Sequence, residues 1–133
     1  MTARIELPPR SELLDGRAAA KELKDDVRRE LEALRDAGGG CGLATVMVGD
    51  DYAATAYERR LRHLASDLAI GYRHYWLAPG AEADEVARVV RQLNADPGVH
   101  GILLLRPFPA DIPEPVLFSV LDPHKDIEAV HPE

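Results

Sequence analysis

The stretch that decides the fold is Leu93-Asn94-Ala95-Asp96-Pro97-Gly98-Val99-His100-Gly101-Ile102-Leu103-Leu104-Leu105-Arg106-Pro107-Phe108-Pro109. At its centre, Gly101–Leu105 is an apolar run without polar alternation, too short for a buried helix and bounded by turn chemistry on both sides. Such a run reads as a strand covered on both faces, which requires helices above and below it. Upstream, Val86, Val90 and Leu93 mark the inward face of a helix over Ala83–Asn94. Before that comes a strand over Tyr72–Leu77, stopped by Pro79-Gly80. A helix over Ala53–Leu68 and an apolar strand over Leu43–Val48 precede these, separated by Gly49-Asp50-Asp51. From Gly16, the residues Ala20, Leu23, Val27, Leu31 and Leu34 recur at steps of 3, 4, 4 and 3, one face of an amphipathic helix that Gly38–Gly40 ends. Downstream, a short helix over Pro115–Leu121 leads into a polar tail from Asp122-Pro123 to Glu133. The alternation predicts an α/β fold, a small, mainly parallel, three-layer α-β-α domain. Ligands in such sheets sit beyond the carboxyl ends of the strands, which nominates Gly49–Tyr57, Leu105–Pro109 and the tail.

The chain has 133 residues, one domain's worth, and a formal net charge of −7 that argues against non-specific nucleic-acid binding. Residues 1–12, with Pro8 and Pro9, read as an extended arm, and 13–133 as a single domain. No apolar run approaches the length of a membrane span, no signal-peptide core is visible, and Cys41 has no disulfide partner. These features give a soluble, cytoplasmic domain as the expectation. Neither a Gly-x-Gly-x-x-Gly fingerprint nor a Walker loop is present, so no nicotinamide-dinucleotide site is expected in the chain. Five histidines lack metal-ligand spacing, and no metal site is assigned. Asp50-Asp51 reads as a helix cap, and Cys41 as a small filler.

Three ordered segments carry a family resemblance. Gly42–Asp51, followed by Ala53 and Tyr57, forms one. Leu93–Pro109 is similar to a stretch "LNADxxVHGILVQLPLP", and Asp122–Pro132 to "DPxKDVDGFHP". Leu14-Asp15-Gly16 also fits an "LDGK" opening. Together they resemble the folate-binding catalytic domain of the bifunctional methylenetetrahydrofolate dehydrogenase/cyclohydrolase family. The resemblance runs nearly from Leu13 to the end. It implies a tetrahydrofolate ligand, 5,10-methylenetetrahydrofolate, with a nicotinamide cofactor held by a second, Rossmann domain that this sequence does not include.

The resemblance also implies a site of Tyr57, Leu61, Leu105, Arg106, Pro107 and Glu128. Tyr57 keeps the family tyrosine that stacks on the folate ring. Leu61 and Leu105 fall on the family's cyclohydrolase lysine and on the glutamine that supports it. Glu128 falls on the pterin-binding aspartate, and Ala129 on the glycine after it. Replacing both members of a buried polar pair by apolar groups is nearly neutral, whereas losing one costs about 1–3 kcal/mol. Leu61 with Leu105 therefore reads as a coupled conversion, and no residue is assigned as catalytic. Solvated surface arginines are the favoured reading of Arg60 and Arg106; the other is positive charge at the pocket rim, with alternation pointing Arg106 to the other sheet face, and neither replaces a lysine base. A core tyrosine with a satisfied hydroxyl is the bland reading of Tyr57, and solvent-exposed tail residues that of His124 and His131. The main expectation is a folate-binding domain without ordinary cyclohydrolase or dehydrogenase activity, repurposed to pass the methylene unit to another acceptor. The alternatives are a non-catalytic folate-binding or interaction module acting with a partner enzyme, and a piece of a two-domain bifunctional enzyme.

Overall fold

The computed structural model describes residues 15–132, so the arm expected over 1–12 lies outside the described residues. Its elements are α1 (Gly16–Asp36), β1 (Gly42–Val48), α2 (Tyr52–Asp67), β2 (Gly71–Leu77), α3 (Ala83–Ala95), β3 (Gly101–Leu104) and α4 (Glu114–Val120). Each matches an expected element to within a residue or two. A 3₁₀ turn at Pro123–Lys125 was not foreseen in the tail; Asp122 caps it by accepting from the His124 N–H at 2.9 Å.

All strands are parallel, in the order β2-β1-β3. Burial sorts their side chains into two faces, as the period of two in a strand requires. Ala44, Val46 and Val48 join Ile102 and Leu104 on one face, packing with Val86, Val90 and Leu93 of α3 and Leu117 of α4 in the main core. Met47, Leu103 and Leu105 lie on the other face with Ala54 of α2, and Leu43 and Leu61 pack against them. Helices thus cover both faces, as the unalternated runs demanded. Gly42 is required by a close approach: a Cβ there would lie 1.9 Å from the Gly98 carbonyl oxygen.

α1 departs from the expectation. Of its apolar face only Leu31 is buried, while Leu23 is 64% and Leu34 42% exposed. Periodicity reports that a helix is two-faced, and it carries no information on whether the core reaches the apolar face. The last turn of α1 is tied down by Arg35, whose guanidinium donates to the carbonyls of Leu68 (3.1 Å) and Ala69 (2.7 Å) at the end of α2.

The tail is clamped to the sheet. Asp126 pairs with Ile102 in an isolated parallel bridge, extending the sheet beyond β3. The Lys125 ammonium donates to the carbonyls of Leu93 (3.1 Å) and Asp96 (2.8 Å), where a cation also complements the C-terminal end of α3. Asn94 donates to the Val120 carbonyl at 2.8 Å and accepts from the Asp122 N–H at 3.0 Å, fixing α4 and the tail to one side chain.

Candidate functional site

The carboxyl end of β1 turns at Gly49, whose φ of +86° suits glycine. Trp76 holds this turn through its indole N–H, which donates to the Gly49 carbonyl at 2.9 Å. Asp51 then caps α2, its carboxylate accepting from the Ala54 N–H at 2.9 Å. The capping role expected of the Asp50-Asp51 pair thus falls to Asp51.

α2 lies over β1 with Ala54, Glu58 and Ala65 buried beneath it. At about 100° per residue, Tyr57 and Leu61 lie to one flank of that line and Arg62 to the other. The first flank faces β3. Leu61, half-buried, packs against the cluster containing Leu103 and Leu105, and Leu105 is 2% exposed. The two leucines nominated as a coupled pair therefore share one apolar seat. Tyr57 is 40% exposed, so it is no fully buried core tyrosine, and the Arg60 guanidinium lies 5.9 Å from its ring centroid.

Arg106 follows the alternation argument. Its guanidinium rests 5.2 Å from the Phe118 ring centroid, on the α4 side, away from the Leu105 seat. Pro107, joined to Arg106 by a cis peptide bond, is exposed at the end of β3. Glu128 is exposed on the tail beyond β3. The turn carrying it is gathered by Asp126, whose carboxylate accepts from the N–H groups of Glu128 (3.2 Å) and His131 (2.7 Å). Burial works to raise the Asp126 pKa, but the backbone donors outweigh it and hold the group below its usual value. Ala129 sits at φ +55°, a left-handed conformation natural to the glycine that the resemblance places there. His124 is exposed as expected, whereas His131 is half-buried and held through its backbone.

On its second flank, towards β2, α2 makes a contact that sequence reasoning missed. Glu58 is only 5% exposed. Its Oε1 accepts from Arg62 Nη2 at 2.6 Å, Arg62 Nε at 3.0 Å and the Tyr72 hydroxyl at 2.9 Å. Thr45, fully buried on β1, bonds the Tyr72 hydroxyl at 2.9 Å and His74 Nδ1 at 2.7 Å. Burial tends to raise the Glu58 pKa, but the bonds from Arg62 and Tyr72 prevail and hold it low. Burial pushes the Tyr72 phenol up to about 12 and keeps His74 below its usual value. The sequence signal available was the Glu58–Arg62 spacing of four, a helical ion-pair spacing found equally on solvated faces. Among the described residues no group of three or more His, Cys, Asp or Glu side chains is arranged to hold a metal ion. No helix among them is long and apolar enough to cross a membrane.

The catalytic domain of the tetrahydrofolate dehydrogenase/cyclohydrolase family matches residues 14–128. "Bifunctional protein FolD 3" of Rubrobacter xylanophilus is 56% identical over 120 residues, covering 90% of this chain and 38% of the relative. "Bifunctional protein FolD" of Xanthomonas euvesicatoria is 38% identical, covering 91% of this chain and 40% of the relative. The chain thus spans about two fifths of the length of the curated relatives it matches. The bifunctional methylenetetrahydrofolate dehydrogenase/cyclohydrolase from Campylobacter jejuni superposes with a TM-score of 0.86 at 27% identity, covering 89% of this chain and 42% of that one. A Trypanosoma brucei N5,N10-methylenetetrahydrofolate dehydrogenase-cyclohydrolase, complexed with NADP and an inhibitor, gives 0.81 at 27% identity, covering 90% and 41%.

Proposed function

Because the chain belongs to the tetrahydrofolate dehydrogenase/cyclohydrolase family, as its catalytic domain, we propose that it binds a reduced folate along the β3-facing flank of α2. The observation that carries this reading is Tyr57. Its ring is partly exposed and lies on the same flank as the Leu61–Leu105 seat, at the carboxyl end of the sheet, where α/β domains bind ligands. A half-exposed aromatic face offers stacking to a planar ring. Glu128, carried on the turn that Asp126 organises, offers two acceptor oxygens to the donor edge of a pterin. Leu105 and Pro107 supply the apolar wall at the end of β3, while Arg106 turns away from it onto Phe118. Such a domain, cytoplasmic on this reading, is the folate-holding half of a bifunctional dehydrogenase/cyclohydrolase architecture. Nicotinamide chemistry belongs to a second domain there, and this chain's residues bind and orient the one-carbon folate.

A second reading, transfer of the methylene unit to another acceptor, is favoured by the seat itself. Leucines at 61 and 105 neither move a proton nor steer water. A one-carbon iminium held above them would be shielded from hydrolysis and left for another nucleophile. Both readings require folate binding. Calorimetric titration with tetrahydrofolate, with and without formaldehyde, tests it, and no heat of binding up to millimolar ligand would refute both. Consumption of the methylene unit by an added thiol or amine acceptor, faster with protein than without, would select the second.

A further inference from the structure

We propose that the His74–Thr45–Tyr72–Glu58 chain is a positioning latch that sets the rotation of α2 about its axis and thereby aims Tyr57. The inference rests on the folate-binding reading for its consequence, and on geometry alone for the latch.

The order of donors in the chain is fixed from its end. An ionised carboxylate only accepts, so the Tyr72 proton is committed to Glu58. Thr45 must then donate to the Tyr72 oxygen, and with its single proton spent it accepts from His74. His74 therefore carries its proton on Nδ1 and is the first donor. Three hydrogen bonds run the same way and end on Glu58, where Arg62 adds two more from the solvent side. Every member between β1, β2 and α2 is used in one direction, so turning the helix breaks the chain rather than rearranging it. Among the described residues no buried side-chain polar atom is left without a partner.

The other half of the α2 contact cannot do this. The seat under Leu61 is apolar, and apolar burial is non-directional. Leu61 can slide over Leu103 and Leu105 at little cost, whereas Glu58 cannot leave Tyr72. Side chains stand about 5–6 Å from a helix axis, so a turn of about 10° moves Tyr57 by about 1 Å. That displacement is beyond the tolerance of about 0.5 Å for a well-formed site.

The test combines Glu58→Leu, Glu58→Gln and Tyr72→Phe, each alone and with Tyr57→Ala. Tetrahydrofolate affinity is read by calorimetry, and methyl NOEs between Leu61 and the Leu103–Leu105 pair by NMR. Glu58→Gln keeps an acceptor for Tyr72 and should bind within about twofold of the parent, whereas Glu58→Leu should lose about three- to tenfold, the contribution of one aromatic stack. In the Tyr57→Ala background Glu58→Leu should add nothing. An equal loss with and without Tyr57, or unchanged binding in a folded Glu58→Leu protein, would overturn the proposal. Tyr72→Phe, which removes one hydroxyl, should show the same pattern at smaller amplitude and decides the matter should Glu58→Leu fail to fold. A parent protein that does not bind tetrahydrofolate removes the folate reading only. The latch is then judged by the NOEs, which must change in Glu58→Leu or Tyr72→Phe and stay as in the parent in Glu58→Gln; unchanged NOEs in the first two would overturn it.

Discussion

Installing at positions 61 and 105 the lysine and glutamine that the family resemblance implies there tests whether these side chains face each other as one unit. Leu61 is half-buried at the edge of the seat, so a lysine there can lay its stem over the same surface and lift its ammonium to water. Leu61→Lys alone should cost about 1 kcal/mol. Leu105 is 2% exposed, and Leu105→Gln alone removes a buried leucine and leaves an amide among Met47, Ala54 and Leu103. The lost burial and the unpartnered amide together cost about 3–5 kcal/mol. If the side chains meet, the introduced lysine donates a charge-assisted bond to the new amide, and the double variant recovers about 1.5–3 kcal/mol of the summed loss. Urea denaturation of the parent, both singles and the double at 25 °C gives the coupling directly, because the total stability of such a domain, about 5–15 kcal/mol, leaves the worst single still measurable. Additivity within about 0.5 kcal/mol would refute the pairing and, with it, the reading of Leu61–Leu105 as a coupled replacement.

Among the described residues, two alanines sit in left-handed backbone: Ala69 at φ 52°, closing α2 after the Ile70 N–H reaches back to the Ala65 carbonyl at 2.8 Å, and Ala129 at φ 55°. Ala69→Gly and Ala129→Gly should each stabilise by about 0.5–1 kcal/mol net of glycine's unfolded-state entropy, read as a rise in Tm. At Gly42 the opposite holds: with the Gly98 carbonyl 1.9 Å from the site of a Cβ, Gly42→Ala should abolish cooperative unfolding or cost more than about 3 kcal/mol, and a Tm within a few degrees of the parent would contradict the register of β1. The pKa values of His74 and Glu58 are both lowered in the fold, so the unfolded chain takes up these protons first and stability falls with pH. The His74 loss begins below about 6.5 and the Glu58 loss below about 4.5; His74→Gln should remove the upper limb of a Tm-against-pH curve and leave the lower one.

The layered sheet was legible because its signals are local. Gly101–Leu105 and, Thr45 apart, Leu43–Val48 are apolar at successive positions, which a strand tolerates only between two covering layers, and both proved to be so covered. The turn residues that bound them also fixed the order of elements. What was not legible depended on which surfaces meet. The stripe from Ala20 to Leu34 is as regular as those of buried helices, yet Leu23 and Leu34 face outward. Arg106 could be turned to the sheet face opposite Leu105 from alternation alone, whereas its perch on Phe118 needed the position of α4. Around Tyr57 the string Glu58-Arg59-Arg60-Leu61-Arg62 looks like a solvated helix face interrupted by one leucine. Nothing within it distinguishes Glu58, because its burial is decided by a tyrosine fourteen residues later and a threonine on β1.

The division of the surface under α2 has a consequence for how such a pocket can change. One half holds the helix by directed bonds to Glu58, and the other supports it by apolar bulk at Leu61 and Leu105. Orientation and pocket chemistry are thereby assigned to different residues. In a helix held only by its pocket-side contacts, exchanging a lysine and a glutamine for two leucines would remove the directional bonds and free the helix to turn. Here the latch on the β2 side supplies the direction, so the β3 side can take either a polar or an apolar pair of similar volume without moving Tyr57. That independence is itself measurable: the Leu61→Lys, Leu105→Gln double variant should leave the Glu58 network and the exposure of Tyr57 unchanged. Side-chain NMR signals of Tyr72 and His74 that shift on introducing the pair would show that the two halves are coupled after all.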